Sequence, residues 1–312
     1  MIVRAEGGLL VLVRQCDHDD QCGHLAAALR AGYFPNATAR RALCLAAFLH
    51  DNGWAPWEEH PQVDPETGRP LQFTQVDPAA WCALYRDGIT TAVEADPLAG
   101  LLVSLHGLGL RRHFLGIRGN TDWRTPPEDE DPEVERFCEE QELLQDELIA
   151  RLRDERDDRE TAAVLAGTTV PTAENPDAGG RIAYGPTLVR LYTLLELLDA
   201  LSLRLNWRGL SEEPLGPVPD LDPTRPNQQL AVRRVDDHTL ALTPSPFDAA
   251  TIAAPVAARL LPDRPYTQPD FALAFATAEV VSRSFTIVAG DGRVIGSAAM
   301  DPQPRTPLPP AQ

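Results

Sequence analysis

Residues 43–54, Leu43-Cys-Leu-Ala-Ala-Phe-Leu-His50-Asp51-Asn52-Gly53-Trp54, run through apolar side chains and then meet an imidazole and a carboxylate. An apolar helix that ends on an ionisable pair sets that pair at the edge of a core. A carboxylate there needs a partner, because burying it alone is expensive. Gly53 reads as the stop of this helix in the left-handed manner of a C-terminal glycine, leaving His50 and Asp51 in the last turn.

Working outward, helical patterns cover Asp17–Ala31, Thr38–Asp51, Pro78–Ala95, Pro97–Leu110, Glu133–Arg156 and Pro186–Trp207. Asp, Thr or Pro introduces most of them. Ahead of them, Ile2–Arg4 and Leu9–Val13 read as two short strands turning at Gly7-Gly8. Residues 210–226 are rich in proline and acid and read as a linker. Beyond it, Gln229–Val235 with Thr239–Thr243 suggests a hairpin, and Ser284–Val288 a further strand. The expected organisation is a helical domain over 1–209 with its N-terminal hairpin, the linker, a small β-containing region over 227–300 packed on the helices, and a proline-rich disordered tail over 301–312. The fold class expected is mainly α, formally α+β.

The 312 residues carry 28 basic and 46 acidic side chains for a net charge of −18, and every basic residue is arginine. Without lysine, a Gly-Lys-Ser/Thr phosphate loop, a Schiff-base enzyme and the kinase strand lysine are all excluded. The acidity argues against nucleic acid as a partner, since such proteins present concentrated basic faces. Five cysteines without a Cys-x-x-Cys pair suit a reducing, cytoplasmic setting. No apolar run is long enough to span a bilayer. A small-molecule substrate is the partner these properties leave, and oligomeric state is not legible.

Several other ionisable residues share the placement of His50 and Asp51. At 100° per residue, Asp199 lies within ~40° of Leu188, Tyr192, Leu195 and Leu203, and Arg190 and Arg204 lie on the far side of that helix. His18 follows the stripe of Cys22, Leu25 and Leu29, whereas His24 lies about 120° away. His106 shares its side with Ala99, Leu102 and Leu110. His113 would follow one heptad later if the helix persists beyond Gly107 and Gly109. Imidazoles and carboxylates converging from four helices suit a divalent transition metal: Mn, Zn, Ni, Co or Fe. The competing reading leaves the histidines as hydrogen-bonded core residues and pairs Asp199 with an arginine.

The order His18, His50-Asp51, Asp199 resembles the HD-domain superfamily of helical metal-dependent phosphohydrolases. The segments Gln15-Cys-Asp17-His18, Phe48-Leu-His50-Asp51-Asn52-Gly53-Trp54, Trp57-Glu58, Ser104-Leu-His106-Gly107 and Leu198-Asp199-x-x-Ser202-Leu203 are similar to an uncharacterised bacterial family defined only as a domain of unknown function. The superfamily resemblance implies an HD-like helical core in which His18, His50, Asp51 and Asp199 ligate one metal, with His106 and His113 in the place of additional histidines. This chain departs from the superfamily pattern in its long interval between Asp51 and Asp199 and in Asn52-Gly53-Trp54 after the His-Asp pair.

The function expected on these grounds is metal-dependent hydrolysis of a small phosphorylated metabolite. A metal lowers the pKa of its bound water and polarises the phosphoryl oxygen. Asp51 and His106 are the candidate catalytic side chains, with His24 a further possible ligand. Trp54, Trp57, Arg111 and Arg112 are candidates for the substrate pocket, with Arg14 and Arg118 as further cationic stabilisers; packing and plain surface roles are the alternatives for these. A second reading is a di-iron oxygenase using His18, His50, Asp51, His106, His113 and Asp199. A third is a non-catalytic helical protein that binds a ligand or partner through Trp54, Trp57 and the turn-rich loop.

Overall fold

The computed structural model describes residues 1–112, 131–154, 158–170, 182–207, 209–222 and 227–290. His113, Arg118 and the tail over 301–312 lie outside the described residues. The chain opens on a hairpin, β1 (Ile2–Glu6) and β2 (Leu9–Val13), whose turn is made by Gly7 and Gly8 at φ of 59° and 81°. Glycine takes two such angles in succession at no steric cost. There follow α1 (Gln15–Ala28), α2 (Ala37–Leu49), α3 (Ala55–Glu59), α4 (Pro78–Ala95), α5 (Pro97–Arg111), α6 (Pro132–Asp154), α7 (Arg159–Leu165) and α8 (Pro186–Asn206). The remainder comprises β3 (Leu215–Val218), β4 (Gln228–Arg234), β5 (Thr239–Thr243), β6 (Thr251–Pro262), α9 (Gln268–Thr277) and β7 (Val280–Ala289).

The caps follow the expected chemistry. Asn36, Asp77 and Asp96 each accept a backbone N–H in the first turn of α2, α4 and α5, and proline opens α4, α5 and α8.

The mainly helical, HD-like architecture is not what forms. The strands make one seven-stranded mixed sheet in the order β1-β2-β6-β7-β5-β4-β3, and the fold is α+β. The N-terminal hairpin is no isolated appendage, because β2 pairs antiparallel with β6 from Leu9↔Pro262 to Leu12↔Arg259. The stretch read as a linker contributes β3, paired with β4. The parallel pair is β5 with β7, and β6 and α9 lie between them in the chain. The sheet was hidden because β6 reads Thr-Ile-Ala-Ala-Pro-Val-Ala-Ala-Arg-Leu-Leu-Pro, rich in alanine and interrupted by proline. Local propensity does not favour a strand there; its two neighbours supply the pairing.

Helices α1, α2, α5 and α8 pack on one another, α6 covers α4 and α5, and α1 also rests on β6. α5 is buried from Leu98 to Leu110, and α8 from Leu191 to Asn206. Helices enclosed on all sides carry apolar residues all round, and each fully buried leucine contributes about 1.5–3 kcal/mol. The polar side chains on these two helices, Ser104, His106, Glu196, Asp199 and Ser202 among them, must therefore find partners inside the protein. No helix among the described residues is long and apolar enough to cross a membrane.

Candidate metal centre

Four helices deliver the cluster. His18 comes from α1, His50 from the C-terminal end of α2, His106 from α5 and Asp199 from α8, with Asp51 in the turn after α2. That turn is not the left-handed stop expected of Gly53, which does not have positive φ. The chain instead tightens into a short 3-10 turn over Asn52–Trp54. Gly53 is required there by proximity: a Cβ on it would lie 1.9 Å from the Leu84 carbonyl oxygen and 2.9 Å from the Gly88 nitrogen of α4. Asn52 fastens the turn by donating through Nδ2 to the carbonyls of Leu49 and Gly88. The His-Asp pair is thus held by backbone against backbone.

All five residues are buried, and the Asp199 side chain, at 11% exposure, is the most accessible carboxylate among those paired with the histidines. His18 Nε2 stands 3.0 Å from Asp199 Oδ1 and 3.3 Å from His50 Nε2. His50 Nε2 lies 3.8 Å from Asp199 Oδ1 and 3.9 Å from Asp51 Oδ2. The rings of His18 and His50 meet edge to face at 5.1 Å between centroids, and those of His50 and His106 at 4.9 Å. Cys22, one turn after His18, places Sγ 3.8 Å from His18 Nε2.

Around these groups lies a second layer of polar contacts. His18 Nδ1 is 2.7 Å from Ser202 Oγ, and the Ser202 hydroxyl donates to Gln21 Oε1. His50 Nδ1 is 2.9 Å from Asp19 Oδ1, and His106 Nδ1 is 2.6 Å from Glu196 Oε1. Asp51 accepts from the Tyr85 hydroxyl on Oδ1 and from Gln15 Nε2 on Oδ2.

The electrostatics follow from crowding. Burial alone would favour neutral imidazoles, but Cys22 and Asp199 around His18, and Asp19 and Asp51 around His50, hold both well above the usual histidine value. Burial pushes Asp19 up to about 7 against the pull of His50. Asp199 goes the other way: burial would raise it, but its contacts with His18 and His50 hold it well below the carboxylate range. Burial, reinforced by Asp51, drives the Tyr85 phenol well above its ordinary value.

Among the described residues, the ion pairs of Asp19, Asp51 and Asp199 are all to histidine, and none is to arginine. A metal fits this arrangement. Ligand atoms ~2.0–2.2 Å from one ion stand about 2.8–3.6 Å apart for angles between octahedral and tetrahedral, a range that holds the His18–Asp199 and His18–His50 contacts. Two imidazole nitrogens that face each other this closely need either a hydrogen on one of them or a metal ion between them. The groups His18, Cys22, His50 and His50, Asp51, His106 each offer ligand atoms within 4.8 Å of one another.

The other expected site residues lie elsewhere. His24 is exposed, with Nδ1 on the Asp20 carbonyl and its ring against Phe48. Trp54 is buried in the core, and Trp57 is partly buried against it. The Arg111 guanidinium lies over the Trp81 ring, and Arg112 pairs with Glu135 and Glu142. Arg14 makes a bidentate pair with Asp17.

Asp19, Glu196, Gln21 and Tyr85 are not among the site residues legible in the sequence, and Gln15 and Ser202 stand there only within the segments that carry the family resemblance. Glu196 carried a signal, for it stands inside Leu191-Tyr-Thr-Leu-Leu-Glu-Leu-Leu one turn before Asp199, where a solvated carboxylate has no place.

Fold and cluster together define an α+β protein with a buried imidazole–carboxylate centre able to hold a metal ion. The chain belongs to the family described as "Protein of unknown function (DUF3891)", whose profile matches residues 1–263. That match runs from the N-terminal hairpin through α8 to the end of β6 and leaves α9 and β7 outside it. No curated protein and no solved structure matches the chain.

Proposed function

We propose that the protein is a metal-dependent hydrolase that binds one divalent transition metal through His18, His50 and Asp199, with Asp51 and His106 completing the site, and acts on a small phosphorylated metabolite. The observation that carries this reading is the convergence of His18 Nε2, His50 Nε2 and Asp199 Oδ1 at 3.0–3.8 Å among buried side chains. Nitrogen and carboxylate donors together suit Mn, Fe, Co, Ni or Zn.

The bound ion would supply Lewis acidity and a water of lowered pKa. The chain's own residues do the rest. Asp51, gripped on one oxygen by Tyr85 and on the other by Gln15, keeps a fixed orientation toward the cluster. His106, tied by Nδ1 to Glu196, leaves Nε2 as the atom it would offer to the metal. Arg14 and Arg112 are paired with carboxylates and Arg111 lies on Trp81, so these three form no guanidinium clamp, and a bound metal would be the group that meets phosphoryl charge. A compact substrate suits such a site better than a polyanion, given the net charge of −18.

Elemental analysis of the purified wild type beside His50→Ala and Asp199→Ala tests the reading. One transition metal per chain in the wild type and none in either variant is expected, together with metal-dependent phosphate release from a panel of small phosphorylated metabolites. Equal metal content in all three proteins would sink the metal site. A loaded protein that cleaves no phosphoester would sink the hydrolase.

A further inference from the structure

We infer that Asp19, Glu196 and the Gln21–Ser202 pair are positioning residues that keep a proton on Nδ1 of all three histidines of the centre, so that Nε2 is the nitrogen each ring offers to a metal. The inference rests on the metal-binding reading above and gives it a specific device.

The hydrogen bonds leave little choice of tautomer. Gln21 donates from Nε2 to the Ala254 carbonyl at 2.9 Å, which turns its Oε1 toward Ser202. An amide oxygen only accepts, so the Ser202 hydroxyl must donate to it, at 2.6 Å. Ser202 has then used its one hydrogen, and its contact with His18 Nδ1 at 2.7 Å must be a bond it accepts. His18 therefore carries a proton on Nδ1, and Nε2, 3.0 Å from the Asp199 carboxylate, is the nitrogen that would exchange its own proton for a metal.

For His50 the acceptors are Asp19 Oδ1 at 2.9 Å and the Ala47 carbonyl at 3.1 Å, neither of which can donate when the carboxylate is ionised. For His106 the acceptor is Glu196 Oε1 at 2.6 Å, between side chains both 3% exposed or less. Three rings from three helices are thus tied at the same nitrogen by three different groups. A carboxylate on the far nitrogen of a ligating imidazole fixes the ring and strengthens the nitrogen that faces the metal.

The test uses the full chain and zinc alone, measured by competition with a chromophoric chelator. Replacement of such partners weakens metal binding by about 10–100-fold. Asp19→Asn and Ser202→Ala should fall in that range. Glu196→Gln, which keeps an acceptor and loses the charge, should fall near its lower end, and Glu196→Leu near its upper end. In the zinc-loaded protein, imidazole nitrogen spectra should show Nδ1–H on all three rings, with Ser202→Ala perturbing the His18 signal alone and Glu196→Leu the His106 signal alone.

His18→Ala and Asp199→Ala are the controls. If these two lose zinc while Asp19→Asn, Ser202→Ala and Glu196→Leu bind as the wild type does, the positioning role is wrong and the metal site stands. If the two controls bind zinc like the wild type, the underlying metal reading is wrong. Should any one positioning variant fail to fold, the other two decide the question, because each ring has its own tether.

Discussion

At Gly53 there is no room for a methyl group. The Leu84 carbonyl sits where a Cβ would go, and an α4 backbone cannot step aside as a side chain can. Gly53→Ala is expected to destabilise the fold by at least about 1–3 kcal/mol, the usual range for forced overpacking. It should also weaken metal binding, because the same turn carries Asp51. Thermal melts and zinc titration check both; a variant that melts and binds like the wild type contradicts this packing.

The ionisable residues give a second expectation at this scale. In the metal-free protein, His18, His50 and Asp19 all hold their protons more tightly when folded than unfolded. The stability they contribute is therefore present at low pH and lost as pH climbs through about 7, where Asp19 titrates, and beyond, where the two imidazoles do. Asp199 has the opposite sign, and its contribution is lost below the unfolded carboxylate value near ~4. Chelator-treated protein should therefore be most stable under mildly acidic conditions and lose melting temperature from pH 5.5 to pH 8. Metal inverts the trend, since ligands must shed protons to bind it. The melting shift produced by zinc should be larger at pH 8 than at pH 5.5, and a smaller shift at pH 8 would refute the assignment.

Elements were legible where caps and apolar stripes agreed. Asp77-Pro78 and Asp96-Pro97 announce α4 and α5 in the sequence, and both helices begin there. Asp96 accepts from Leu98 N and Ala99 N. Asp96→Ala removes a cap worth about 1 kcal/mol, which in a protein of this size should appear as a drop of about 1–2 °C in melting temperature. An unchanged melt would mean that α5 is held entirely by its packing. The inward histidines were legible because an imidazole among leucines stands out. Asp19 was not, because one carboxylate among 46 acidic side chains reads as surface until its neighbours are known.

Across the whole molecule, the sheet was the part that single segments could not reveal. The pair of β2 with β6 joins stretches about 250 residues apart, and the parallel pair of β5 with β7 is interrupted in the chain by β6 and α9. Strand identity in β6 comes from partners, not from composition. Because the sheet takes strands from both ends of the chain and α1 rests on β6, helices and sheet should unfold together. Calorimetry of the metal-free protein is expected to show a single transition whose calorimetric and van't Hoff enthalpies agree. Two resolved transitions would establish that the helical and β parts are independent.

The Ala254 carbonyl, which orients Gln21 and through it Ser202 and His18, is main chain, and no substitution at that position can delete it. What can remove it is a change of length. A one-residue slip of β6 turns its side chains to the opposite faces of the sheet and sets a different peptide opposite Gln21. The metal centre should therefore be indifferent to Ala254→Ser yet sensitive to the deletion of any one residue in the β6 segment up to that carbonyl. In relatives of this chain, alignment gaps in β6 would mark a lost site more reliably than the letter found at position 254.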